Sequence, residues 1–135
     1  NSVYHYLIMC RHFGRTSLVA ERQGRVVGFV TAYIPPASAD TIFVWQVAVD
    51  AGERGRGLGV QLLTRVFGAA RACGAKNLDA TITPSNKASI GLFTAVARAL
   101  KARFVFEEEF FSVADFGKTT HEAEVLFHIG PISDK

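Results

Sequence analysis

Cysteine is scarce in this chain: Cys10 and Cys73 are the only two in 135 residues. They form no C-x-x-C pair, so neither a disulfide framework nor a zinc site is expected. No metal is expected, and a reducing, cytoplasmic setting is the default. Long apolar runs are missing too. Nothing approaches the ~20 residues that cross a bilayer, so no membrane partner is expected. The chain opens on Asn1 with no methionine and no signal-like segment, and the expectation is that its native N-terminus lies further upstream. Neither sign of charge dominates, since 15 basic against 12 acidic residues give +3. That excess is too mild to argue for nucleic acid, although it suits a small polyanionic cofactor. Repeats, low-complexity tracts and linkers are absent. Residues 1–135 therefore read as one domain, within the usual range of ~100–200 residues.

What the chain does have is a strand–loop–helix passage rich in glycine and arginine. Ile42 to Val49 is apolar except at Gln46 and reads as a buried strand. A short polar turn follows, then Glu53-Arg54-Gly55-Arg56-Gly57-Leu58-Gly59. From Leu58 the pattern turns helical, with Leu58, Leu62, Leu63, Val66 and Phe67 on one face. This arrangement points unpaired backbone N–H groups and the positive end of a helix toward an anion. Gly55, Gly57 and Gly59 would let a diphosphate approach the backbone, and Arg54 and Arg56 add bidentate donors. A dinucleotide fingerprint does not fit, because its third glycine falls at Val60. A Walker loop does not fit either, because no lysine follows these glycines.

The rest of the chain falls into alternating elements. A helix is expected over 2–13, with Tyr4, Leu7 and Ile8 recurring at helical spacing and Asn1 or Ser2 as cap. Strands over 16–22 and 26–34 form a hairpin, and a third spans 41–49. A helix over 58–72 stops at Gly74. A strand over 77–83 precedes a helix over 86–100 capped by Ser85 or Asn86. Strands over 103–111 and 121–129 flank a polar connection. This order predicts an α/β (α+β mixed) fold, a central mixed sheet with helices on its faces.

Arg-x-x-Gly-x-Gly (Arg54, Gly57, Gly59), set between strand and helix, resembles the coenzyme A pyrophosphate loop of the GNAT superfamily of N-acetyltransferases. Asn86-Lys87-Ala88-Ser89-Ile90-Gly91-Leu92-Phe93 is similar to that superfamily's N-x-x-A-x-x-L-[YF] helix. The resemblance implies a GNAT fold whose sheet splays after the third strand, with a further strand and part of a helix ahead of residue 1. It implies acetyl-CoA as cosubstrate. Arg54, Gly55, Arg56, Gly57, Leu58 and Gly59 would hold the diphosphate. The main chain of Val47, Ala48 and Val49 would hold the pantetheine arm, with Asn86 and Phe93 beside it. The Val47 amide would be the oxyanion donor. Where the family often carries a proton-donating tyrosine this chain has Phe93, which has no proton to give. Gln46 stands where some relatives carry a catalytic glutamate; it cannot act as a base but could orient water or substrate.

Further matching stretches narrow the resemblance. They include Asn1-Ser2-Val3-Tyr4, Phe43-Val44-Trp45-Gln46, Thr83-Pro84-Ser85-Asn86 and His121-Glu122-Ala123-Glu124. Together they resemble the branch that acetylates the γ-amino group of L-2,4-diaminobutyrate on the route to ectoine, a compatible solute of osmoadaptation. That resemblance implies a pocket with Trp45 as its wall and Glu124 as an anionic partner for the amine. Tyr4, Tyr33 and His121 would be polar neighbours, and an acidic residue would precede Asn1. It also implies a homodimer; a nucleic-acid partner is not expected, because the arginines cluster at one loop rather than along a face. Trp45 could equally be core. On a regular strand His121 and Glu124 point to opposite faces, so either a bulge intervenes or only one lines the pocket. A GNAT enzyme for another small amine or a protein N-terminus, or a non-catalytic acyl-CoA-binding module, remains an alternative.

Overall fold

The computed structural model describes residues 2–134, so the capping expectation for Asn1 lies outside the described residues. Helix α1 (Val3–His12) opens on Ser2, whose hydroxyl accepts from the His5 amide at 3.2 Å. Its inward face differs from the expected one. Tyr4 and Leu7 are 71% and 61% exposed, whereas Met9 is buried and His5 and Tyr6 are half-buried. Helical spacing alone could not fix this phase, because both tyrosines and several aliphatics crowd one short segment.

A single 3-10 turn, Gly14–Thr16, displaces the expected start of the first strand, and the buried Thr16 hydroxyl donates to Ala32 O at 2.7 Å. Strands β1 (Leu18–Arg22), β2 (Arg25–Tyr33) and β3 (Thr41–Val49) follow. A 3-10 turn at Ala51–Glu53 leads into α2 (Leu58–Arg71). Then come β4 (Asn77–Ile82), α3 (Lys87–Ala99), β5 (Phe104–Phe111) and β6 (Glu124–Ile129). The six strands form one sheet in the order β1-β2-β3-β4-β6-β5. Every pair is antiparallel except β3 with β4, the pair bridged by the α2 crossover.

Side chains alternate across the sheet. On one face Val30, Ala32, Ile42, Val44, Leu78 and Ile82 meet Leu63, Val66 and Phe67 of α2 and Val96 of α3 in a single buried cluster. On the other face α1 rests against β2 and β3, with Tyr6 edge-on to Phe29 and Phe13 against Tyr33. Among the described residues no helix is long and apolar enough to cross a membrane.

The expected final strand is corrected at its start: β6 begins at Glu124, not at residue 121. His121 is drawn off the sheet because its ring stacks on Phe116 with centroids 3.9 Å apart. Phe116 belongs to a one-turn helix, Val113–Phe116, inside the expected polar connection, closed by a reciprocal Ser112–Asp115 capping box.

Candidate active site

The β3–β4 ladder pairs Thr41 with Asn77 and ends at Val44 with Ala80, although both strands run on. Beyond that rung they diverge and leave a gap. A bulge helps to open it: β2 matches Thr31 to Gln46 and Ala32 to Val44, which leaves Trp45 without an opposite number.

The register also says where the gap's backbone groups point. Asp50 N donates to Val27 O at 2.8 Å, one step beyond the Gly28–Val49 pair. In an antiparallel ladder, hydrogen-bonded and non-bonded pairs alternate. Ala48 is therefore bonded to Phe29, while Val47 and Val49 turn their N–H and C=O away from β2, toward the gap. The Val49 carbonyl receives the Arg54 Nε at 3.2 Å.

Arg54 begins the glycine loop. Gly57 is the N-cap of α2 at φ 78°, a left-handed conformation that a side chain strains. Gly59 matters for a different reason: it lies close under α3, where a Cβ would stand 3.0 Å from Leu92 Cδ1 and the leucine would have to shift. The first backbone donor inside this turn is Gln61, which bonds Gly57 O. Among the described residues no backbone bond is drawn from the amides between Gly55 and Val60, which leaves them for an outside acceptor.

The loop is tied down by a pair that the sequence reading missed. Glu53, nearly buried, accepts from Arg22 Nε at 3.0 Å and from its Nη2 at 2.9 Å. These bonds, with the charges of Arg22, Arg56 and Arg25, hold the Glu53 carboxyl below its usual range against the opposing effect of burial. Arg56 lies 3.7 Å from Glu53 and is 64% exposed, so its guanidinium sits outside the hollow that Arg54 lines.

Three hollows adjoin here, sharing lining residues. The first, about 480 Å³, lies between the glycine loop, the Val47–Val49 main chain and α3. It shares Val47, Ala48 and Ser89 with the gap itself, about 270 Å³. Asn86 and Phe93 line the gap. Asn86 also caps α3, its Oδ1 accepting from Ser89 N at 3.1 Å. Phe93 is buried against Phe127.

The third hollow, about 620 Å³, opens on the α1 side of the sheet and shares Trp45, Gln46, Thr81 and Glu124 with the gap. Its walls are aromatic: Tyr33, Phe43, Phe110, Phe111 and Phe116 besides Trp45. Trp45 is 47% exposed, so it is wall rather than core, and the His5 ring meets it at 3.6 Å. Because β6 starts late, His121 and Glu124 reach the same hollow, with His121 Nε2 3.5 Å from Glu124 Oε2. No bulge is required. Tyr4 is 71% exposed and is not among the residues lining this hollow. Its neighbour Tyr6 is the one that turns inward, donating its O–H to Gln46 Oε1 at 2.8 Å. Behind them the Thr31 hydroxyl and His5 Nε2 are buried without partners among the described residues. No cluster of three or more potential metal ligands occurs among the described residues.

A diphosphate-ready loop, a splayed strand pair and a crossover helix at the gap define an acyl-CoA-type transferase site. Residues 2–97 match the acetyltransferase (GNAT) family. The chain belongs to that family. A relative from Halalkalibacterium halodurans, L-2,4-diaminobutyric acid acetyltransferase, is 45% identical over 132 residues, 98% of this chain and 69% of that protein. One of the same name from Virgibacillus pantothenticus is 43% identical over 98% of this chain and 82% of its own length. Among solved structures, diaminobutyrate acetyltransferase EctA from Paenibacillus lautus, in complex with its substrate L-2,4-diaminobutyric acid and coenzyme A, superposes with a TM-score of 0.90. It is 34% identical, with 100% of this chain and 81% of that one covered.

Proposed function

We propose that residues 1–135 form one acetyltransferase domain that moves the acetyl group of acetyl-CoA to the γ-amino group of L-2,4-diaminobutyrate. The setting is cytoplasmic, and the N-γ-acetyl product serves ectoine synthesis and osmoadaptation. The observation that carries this reading is the row of adjoining hollows from glycine loop to aromatic pocket along the splayed strands. The relatives' shared name supports the choice of amine.

Each residue has a chemical task in this reading. The amides from Gly55 to Gly59, with Arg54, take the diphosphate, and Val47 and Val49 pair with the pantetheine arm as an added strand would. A primary amine has a pKa of about 10.4 and must lose a proton before it attacks. Glu124, lining both gap and hollow, is the anion facing it and takes that proton. Trp45 supplies a π face to the second ammonium, and Tyr33 and His121 complete the polar surround. The nitrogen then bonds to the thioester carbon and the carbonyl oxygen becomes an oxyanion held by Val47 N–H; as the carbonyl re-forms the C–S bond breaks, and the proton shed by the new amide nitrogen passes to water. Phe93 packs beside the sulfur and water returns its proton. A homodimer is part of the proposal, supported by the open edge of β5 and its exposed Phe104 and Val105.

The test is thiol release from acetyl-CoA with a panel of diamines. Diaminobutyrate should be preferred strongly over ornithine and lysine. Equal rates across the three would sink the substrate assignment, and coenzyme A binding without turnover of any amine would favour a non-catalytic module.

A further inference from the structure

Gln46 lines both the gap and the aromatic hollow, at the point where amine and thioester would meet. A glutamine amide has two unlike ends, an acceptor oxygen and a donor nitrogen, and which end faces the path decides what it can recognise. In this chain that choice is made from α1. The Tyr6 hydroxyl donates to Gln46 Oε1 at 2.8 Å. Thr31, its register partner on β2, makes no bond to it, so among the described residues Tyr6 alone orients the amide.

We propose that Tyr6 is a positioning residue: by occupying Oε1 it turns the Gln46 Nε2–H groups toward the path, where they donate to an anionic oxygen. This rests on the acetyltransferase reading above and adds a role for a residue outside the loop. Neither the gap nor the hollow is lined by arginine or lysine. A carboxylate or oxyanion formed there must therefore rely on neutral donors. An ammonium, itself a donor, is repelled from Gln46 Nε2 and drawn to Glu124. The two side chains thus give the path opposite polarities and fix which way round a diamino acid enters. The anionic oxygen has two sources, the substrate carboxylate or the oxyanion of acyl transfer, and both take the same donor.

The test compares Tyr6→Phe, Gln46→Leu, Gln46→Glu and the Tyr6→Phe/Gln46→Leu double variant with wild type, after melting curves and coenzyme A titration establish that each folds and binds. Wild-type turnover of diaminobutyrate tests the acetyltransferase reading separately. Gln46→Leu should lower kcat/KM about 10-fold or more, on the scale of one lost hydrogen bond to a charged group. Tyr6→Phe should follow in the same parameter by a smaller factor, and the double variant should be no worse than Gln46→Leu, because Tyr6 acts only through the amide. Gln46→Glu keeps the Tyr6 bond but presents an acceptor, so it should be as poor as Gln46→Leu. With 1,3-diaminopropane, which lacks the carboxylate, a defect that vanishes assigns the donor to the carboxylate. A defect in kcat that persists assigns it to the oxyanion. Gln46→Glu at or above wild-type activity, or additive losses from Tyr6→Phe and Gln46→Leu, would overturn the proposal.

Discussion

Val44 of β3 and Ala80 of β4 form the last rung of the parallel ladder, and Trp45, Gln46, the Val47–Val49 main chain and the glycine loop all follow it. Up to that rung the strands satisfy one another. Past it Val47 and Val49 turn their backbone groups away from β2, the Val49 carbonyl taking Arg54 Nε, while Ala48 between them stays bonded into β2. A sheet that stops pairing inside a folded core leaves polar groups needing an acceptor or donor. An extended amide-rich ligand is the natural occupant.

Gly57→Asp should abolish coenzyme A binding, with affinity falling at least about 100-fold, or about 2.7 kcal/mol. The comparison that isolates charge is Gly57→Asn, of equal size and tolerant of a left-handed backbone. A Cβ at Gly57 meets no atom within 4 Å, so steric clash does not confuse the pair. Titration calorimetry on both variants reads the result. Equal affinities for Asp, Asn and Gly would mean that the loop is only a turn.

The loop was legible because two signals coincide in sequence: an apolar run stops where glycines start, and a helical period starts where they end. Asn86 was legible as a cap for the same local reason. What was not legible depends on distant partners. Nothing near Glu53 announces that Arg22 of β1 will hold it. The phase of α1 was misread because Tyr4 and Tyr6 are chemically alike. Only the Phe29 and Gln46 side chains select Tyr6. The expected strand over 121–129 placed His121 and Glu124 on opposite faces, and Phe116, five residues upstream of His121, is what removed His121 from the strand.

Trp45→Ala should raise the KM for diaminobutyrate by about 3- to 30-fold, the range of a cation–π contact worth about 0.5–2 kcal/mol. KM for acetyl-CoA should stay within about 2-fold, and Trp45→Phe should recover part of the loss. The half-exposed indole carries little of the core, so the melting temperature should change little. A large drop in melting temperature with both KM values moving together would return Trp45 to the role of packing residue.

Glu124→Gln keeps the shape of the wall and removes its anion. Loss of a residue accepting a proton from the attacking amine costs typically 10²–10⁴ in rate. A fall of about 100-fold or more in kcat, with coenzyme A affinity unchanged, is expected in steady-state kinetics at neutral pH. Removal of the neighbouring ring in His121→Ala should cost less, because its Nε2 only flanks the carboxylate at 3.5 Å. If the order of the two defects were reversed, the histidine would be the proton acceptor.

The Arg22–Glu53 pair makes the loop sensitive to acid. Hydrogen bonding from Arg22 lowers the Glu53 carboxyl below its usual 4.5, so the folded state binds this proton less readily than the unfolded chain does. Its contribution to stability is therefore complete above about pH 4.5 and is lost as pH falls through the lower folded value. Glu53→Gln never has that contribution. The gap in melting temperature between wild type and Glu53→Gln should be widest near neutral pH and should close on acidification below 4.5. Coenzyme A affinity should weaken with it, since Glu53 anchors the turn from which Arg54 reaches Val49 O. A gap that stays constant from pH 7 to pH 3 would show that Glu53 stabilises the loop by packing alone.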